Sequence, residues 1–242
     1  KAVCDELKKL YPTLEKGQCA LVVGLGNWNM TPDSLGPKCI NKILVTRHLI
    51  DMVPEKVDER VRSVCAIAPG VLGITGIETQ EAIKGIVAKV KPNVVIAIDA
   101  LACRRSERIC STVQISDTGI SPGGGIGNKR KGLNQKTLGV PVIAIGVPMV
   151  VYASTLTMDV VEKLASDLRA DSDPMLKQVA TVSEDKLIEG TLKAAASTLG
   201  DMIVTPKDID TLVTDSASIV AMGINLALHN NISAEEINQV VH

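Results

Sequence analysis

The chain contains no phenylalanine, one tryptophan and two tyrosines in 242 residues, so aromatics make up 1% of it. Rings for stacking single-stranded nucleic acid are therefore missing. With 26 Lys and Arg against 27 Asp and Glu there is no basic balance for a phosphate backbone either, and no nucleic-acid partner is expected. The six cysteines, Cys4, Cys19, Cys39, Cys65, Cys103 and Cys110, include no C-x-x-C pair and no cluster with histidine. That pattern predicts small reduced thiols in a cytoplasmic protein rather than a disulfide framework or a zinc site. The apolar runs at 94–98 and 140–147 fall well short of the roughly 20 residues that cross a bilayer, so no membrane partner is expected. No charged-then-apolar leader opens the chain, which starts at Lys1, and a processed or trimmed start is the expectation. Only His48, His229 and His242 carry imidazoles and no G-x-S-x-G elbow is present, which leaves Ser-His and Cys-His catalysis poorly supported.

What is present is aliphatic. Hydrophobic residues make up 45% of the chain, and without phenylalanine they are mainly Val, Ile, Leu, Ala and Met, a composition suited to parallel strands packed beneath helices. A chain of this length buries roughly 70% of its unfolded surface and needs neither disulfide nor metal to hold a core. Strand-like and helix-like stretches alternate from 19 to about 230, which predicts one α/β domain over 1–242, its mostly parallel central sheet flanked by helices. Strands are predicted over 19–24, 63–68, 94–98, 112–115 and 142–147, with a short edge strand at 202–204. Helices are predicted over 34–48, 79–90, 157–168, 183–199 and 208–229. Asp33 or Ser34 would cap the first helix, with His48 near its C-terminal end compensating the dipole. The polar, weakly patterned segment 169–182 is where a linker would fall. The loop 116–131 carries five glycines between Gly119 and Gly127, and a loop that long suggests function or mobility.

Parallel strands deliver their last residues to one edge, where α/β proteins build their sites. Asp33 lies in the loop after the first strand, and Asp99 follows the run Val94-Val95-Ile96-Ala97-Ile98. Two carboxyls brought within about 3 Å cannot both ionise; such a pair keeps one proton and can both activate water and protonate a leaving group. The plainer reading has Asp33 capping a helix and Asp99 anchoring a turn, and spacing alone does not choose between the two. Gly24-x-Gly26 begins a dinucleotide fingerprint, but Asn29 holds the third glycine position. Asp117-Thr118-Gly119 matches a motif of two-lobed aspartic peptidases, yet those are all-β and this chain alternates. The loop Ser121 to Lys131, with Lys129 and Arg130, has backbone and charge for an anion but lacks the P-loop order. A flap that positions an extended or acidic polypeptide uses the same features. Arg104, Arg105 and Arg108 would add to a positive rim, or simply form a solvated face.

These residues together resemble the germination protease family of spore-forming bacteria. The likeness runs through 23–29 (VGLGNWN) with Thr31-Pro32-Asp33, 44–49, 66–71 with 73–79, and 96–102. It continues through 114–120, 127–130, 141–148, 204–207 and 225–229. The resemblance implies an aspartic-type endopeptidase that degrades small acid-soluble spore proteins in the spore core, with Asp33 and Asp99 catalytic and no cofactor or metal. It implies a fold like that of the hydrogenase-maturation peptidases, a homotetramer, and synthesis as a zymogen. The stretch before the first strand and the region 169–200 are shorter than in the family. Gly26, Asn27, Asn29, Lys129 and Arg130 are then candidate oxyanion or substrate contacts. Two alternatives stand beside this reading: a metal-assisted peptidase in which Asp33 and Asp99, with or without Glu78, hold a divalent ion, and a catalytically silent binding protein on the same fold.

Overall fold

The computed structural model describes residues 1–11, 14–121, 131–170 and 184–241. Its strands are β1 (Cys19–Gly24), β2 (Ser63–Ile67), β3 (Val94–Cys103), β4 (Gln114–Ser116), β5 (Val142–Tyr152) and β6 (Ile203–Val204). They form one sheet in the order β2-β1-β3-β5-β4, with β6 also on β5. The first four in that order run parallel, while β4 and β6 lie antiparallel to β5. The central β1 and β3 are continuous apolar runs because helices cover both faces.

The alternation of side chains divides the core in two. Val22, Ile96, Ile98, Ile143 and Ile145 pack with α1 (Ala2–Leu10), α2 (Leu35–Ile40) and α9 (Ile209–Leu228). On the other face Leu21, Val23, Val95, Ala97 and Val142 meet Ile83 and Val87 of α5 (Thr79–Val90) and Leu138 of α6 (Gln135–Leu138). Each fully buried aliphatic side chain contributes about 1.5–3 kcal/mol, so the missing aromatics cost the core nothing essential. The other helices among the described residues are α3 (Arg47–Met52), α4 (Leu72–Thr75), α7 (Ala153–Ala170), α8 (Glu184–Leu199) and α10 (Ala234–Val240). By length and composition α9 could cross a bilayer, a property the apolar runs at 94–98 and 140–147 lacked. Its Val213, Ala217, Val220 and Ile224 are spent on the core instead.

The structure departs from the sequence reading at definable points. The helix expected over 34–48 stops at Ile40, because the next residues are claimed from elsewhere. Asn225 of α9 donates to the Lys42 carbonyl and accepts from the Leu44 amide, and the Thr46 hydroxyl donates to the Arg62 carbonyl and accepts from the Val64 amide. His48 therefore falls in the first turn of α3, not at a helix C-terminus, and the dipole role expected of it does not hold. Strands β3 and β5 outrun their predicted ends at Ile98 and Val147. The ladder continues past Pro148 through a register shift at Leu101/Ala102, the irregularity by which a strand accommodates a residue without an N–H. The predicted strand 112–115 is found at Gln114–Ser116, and α7 starts at Ala153 rather than Thr157. Helices α1 and α10 were not read from the sequence, although Ser233 and Glu236 form a reciprocal capping box at the start of α10. Of the segment 169–182, the first two residues close α7 and the rest lie outside the described residues.

His229 ends α9 as a structural group. It is buried, its Nδ1 accepts from the Arg62 amide at 3.0 Å, and among the described residues Nε2 has no hydrogen-bond partner. Burial pushes its pKa down from 6.5 to about 4, with the Arg62 charge adding and the Leu44 backbone opposing. Below about pH 6.5 the unfolded chain takes up a proton that the folded chain refuses until near pH 4, so this contribution is complete at neutral pH and is lost on acidification. We expect a urea titration to show about 2 kcal/mol less stability at about pH 5 than at about pH 7. A midpoint that stays level over that interval would contradict the assignment.

Candidate active site

The site is built where β1 ends. The Leu25 amide donates to the Ile98 carbonyl at 2.7 Å, carrying the β1–β3 pairing one residue beyond β1. The chain then turns back on itself. The Met30 amide donates to the Asn27 carbonyl at 3.1 Å, the Asn29 amide to the Asn27 side-chain oxygen at 3.0 Å, and the Asp33 amide to the Met30 carbonyl at 2.9 Å. Asp33 closes this loop, its Oδ2 accepting from the Asn27 amide at 2.8 Å. Gly26 makes the turn possible: its φ is +111°, and a Cβ there would overlap the Asp33 carbonyl oxygen and lie 3.2 Å from Oδ1.

The cap expected of Asp33 is therefore not its role. Its carboxylate clasps the loop, and Ser34 at the start of α2 makes no side-chain cap, its hydroxyl donating to the Thr31 carbonyl at 2.8 Å instead. Asp99 follows Ile98 on β3, stands opposite Gly146 of β5, and is 5% exposed. Its Oδ1 accepts from the Ala100 amide at 3.0 Å, so it sits within an unbroken strand rather than anchoring a turn. The short helical turn Thr31–Asp33 packs against both β3 and β5. One half-buried carboxyl thus lies in the loop that follows β1, and one buried carboxyl lies on the neighbouring β3, one residue past the partner of Gly24.

The other candidates fall out differently. Asn27 is half-buried, with its backbone amide and side-chain oxygen engaged in the loop; Asn29 is exposed, with its backbone amide engaged likewise. Among the described residues no hydrogen bond takes either side-chain amide group. Lys129 and Arg130 lie outside the described residues, but the ends of their loop are tied together, Ile120 and Leu133 exchanging backbone hydrogen bonds at 2.9 and 2.7 Å. Glu78 precedes α5, and the described residues contain no group of three His, Cys, Asp or Glu able to hold a metal, so Glu78 does not join Asp33 and Asp99 in a three-carboxylate cluster among them. Asp117 is exposed in the turn after β4. Arg105 is paired with Glu162 of α7 at 3.0 Å, and Arg104 and Arg108 are exposed, as a solvated face would have them.

Two residues that the sequence reading did not single out stand out in the structure. Trp28 and Met30, 53% and 52% exposed, project from the loop that Asp33 clasps. The available signal was rarity: Trp28 is the sole tryptophan in a chain nearly without aromatics.

The germination protease family profile matches residues 2–182 and 169–241, which together span almost the whole chain. The germination protease of Clostridium acetobutylicum is 50% identical over 250 aligned residues, covering 100% of this chain and 76% of its own length. That of Bacillus subtilis strain 168 is 45% identical, covering 95% of this chain and 71% of its own. Among solved structures, the [NiFe] hydrogenase maturation protease HycI of Thermococcus kodakarensis covers 60% of this chain and 80% of its own at 18% identity and a TM-score of 0.36. The hydrogenase maturating endopeptidase HybD of E. coli covers 79% and 99% at 13% identity and a TM-score of 0.31. Both superpositions are loose. The sequence relationship is of another order: the chain belongs to the germination protease family, a family of aspartic-type endopeptidases.

Proposed function

We propose that the chain, as a single α/β peptidase domain over 1–242, degrades small acid-soluble spore proteins during germination, with Asp33 and Asp99 as its paired catalytic carboxyls. The observation that carries this reading is the engagement of Asp33 with the Asn27 amide at the edge where β3 delivers the buried Asp99. One carboxylate takes a proton from water as its oxygen attacks the peptide carbonyl, and the other, in its acid form, gives a proton to the departing amine. The side-chain amide of Asn27 and the backbone near Gly26 would face the tetrahedral oxyanion, and Asn29 would lie further out. Trp28 and Met30 offer an apolar contact to the polypeptide beside the scissile bond, and Lys129 and Arg130 a positive one to its acidic residues. Family membership supports the rest of the reading: a homotetramer, derived from a zymogen, acting in the cytoplasm of the spore core without cofactor or metal.

Incubation of the purified chain with a small acid-soluble spore protein, with and without chelator, tests this through the masses of the fragments. Defined fragments unchanged by chelation are expected. Loss of the fragments on chelation would overturn the reading in favour of a metal-assisted peptidase, and binding without fragments in favour of a silent relative.

A further inference from the structure

Strand β2 ends the sheet, and its outer edge is covered only in part. The Thr46 amide donates to the Val64 carbonyl at 3.0 Å and the Val64 amide donates to the Thr46 hydroxyl at 3.0 Å, so the backbone groups of Val64 point away from β1. Backbone groups alternate along a paired strand, so Ser63, Cys65 and Ile67 bond to β1 while Ala66 points outward as Val64 does. The Leu25 amide, directed to Ile98 on β3, fixes the same parity from the other side of β1. No described residue meets the Ala66 N–H and C=O, because the chain enters α3 at Arg47, directly after Thr46. Proteins ordinarily blunt such an edge with charge, proline, shortness or a cover. The opposite end of the sheet is blunted by shortness, β4 having three residues. At 65–68 the sequence is Cys-Ala-Ile-Ala, without charge or proline, and Ala68 is exposed. The loop after β2 is apolar too: Ile74 and Ile77 are 60% and 49% exposed, in a turn fixed by the Thr75 hydroxyl, which donates to the Val71 carbonyl at 3.2 Å and accepts from the Ile77 amide at 3.1 Å.

We propose that the open half of β2 is a substrate exosite, where an extended segment of the polypeptide adds to the sheet as a further strand and bonds to the Ala66 amide and carbonyl. This rests on the reading that Asp33 and Asp99 cleave a spore protein. Register ties the edge to those carboxyls. Ala66 is level with Val22 on β1, and Val22 with Ile96 on β3, so Asp99 stands three residues further along the sheet. An added strand lies three strand spacings from β3, and the diagonal to Asp99 is about 17 Å, roughly five residues of extended chain. One continuous polypeptide therefore holds the edge and reaches the carboxyls. Strand addition draws its affinity from main-chain hydrogen bonds, so it serves substrates of differing sequence.

The test is amide exchange, resolved to single residues, of the Asp99→Asn protein alone and with a small acid-soluble spore protein. The Ala66 amide is expected to slow about tenfold or more on binding, while those of Cys65 and Ile67, already bonded to β1, stay as they were. Burial without strand pairing would not follow that alternation. Ala66→Pro removes the outward donor and spares the β1 ladder, at a place where an edge strand tolerates proline. In the otherwise wild-type chain it should raise KM for the spore protein about tenfold, with kcat changed by less than about twofold. An Ala66 amide that exchanges as fast in the complex as in the free protein, or an unchanged KM in a folded Ala66→Pro chain, would overturn the proposal; if the proline variant fails to fold, the exchange result decides alone. Protection of Ala66 that grows with the concentration of the free chain would give the edge to a second copy and overturn it as well. Failure of the catalytic reading shows elsewhere: fragments persisting in Asp99→Asn count against the carboxyls, not against the edge.

Discussion

Asparagine in place of Asp99, or of Asp33, is expected to lower cleavage of a spore protein by about a thousandfold, within the range by which positioned acids and bases accelerate proton transfer. The substitution is chosen so that the loss reports chemistry. An asparagine at 33 keeps an oxygen to accept from the Asn27 amide, and one at 99 keeps an acceptor for the Ala100 amide. Thermal melts of both variants, run beside the assay, separate lost chemistry from lost stability. Asp33→Ala is different in kind: it removes the clasp and leaves the half-buried Asn27 amide without its partner, adding about 1 kcal/mol of lost stability to the lost activity. Cleavage that survives in either asparagine variant at more than about a tenth of the wild-type rate would remove that residue from the mechanism.

The second large effect is on folding. Gly36→Ala should destabilise the chain by about 3–5 kcal/mol, a large share of the 5–15 kcal/mol typical of a domain. A Cβ on Gly36 would overlap the Leu25 carbonyl oxygen and sit 2.5 Å from the Leu25 nitrogen; one on Gly24 would overlap the Gly36 carbonyl oxygen. Both obstructions are backbone, and the Leu25 amide is already committed to Ile98, so neither strand nor helix can yield without opening the turn that carries Asp33. This contact is the close helix-to-strand approach that a third glycine supplies in a dinucleotide fold, provided here by Gly36 rather than by position 29. Gly85→Ala makes the control: it lies within α5, a Cβ there meets nothing within 4 Å, and the expected change is a gain of about 0.5–1 kcal/mol. Thermal melts of the two variants separate steric contact from helix propensity. A Gly36→Ala protein as stable as the wild type would contradict the packing described.

The parts of the fold legible in the sequence were those written in local pattern. Strand β1, the start of β3 and helix α5 followed from apolar runs and i, i+3, i+4 spacing, because each is buried along its whole length or on one face. The break in the helix after Ile40 was not legible, because it depends on Asn225, far along the chain, and on Thr46 bonding to the edge of β2. The extension of β5 was hidden because Pro148 reads as a terminator and is accommodated by a bulge. At the site, the place of Asp33 in the loop after β1 was legible from the apolar run before it, whereas Asp99 was expected after its strand and lies within β3, which runs on to Cys103. That Asp33 engages the Asn27 amide rather than a helix terminus, and so presents Trp28 and Met30, needed the turn at Gly26, whose positive φ no spacing rule foretells.

The central claim is that the two carboxyls act as one unit, and the double variant Asp33→Asn/Asp99→Asn tests it most directly when its cleavage rate is measured beside both single variants. Groups sharing one proton-transfer task lose it when either is removed, so the double variant should be no slower than the slower single one. Losses that multiply, leaving the double variant about a thousandfold below either single variant, would mean that the two aspartates act independently, and the paired mechanism would be wrong.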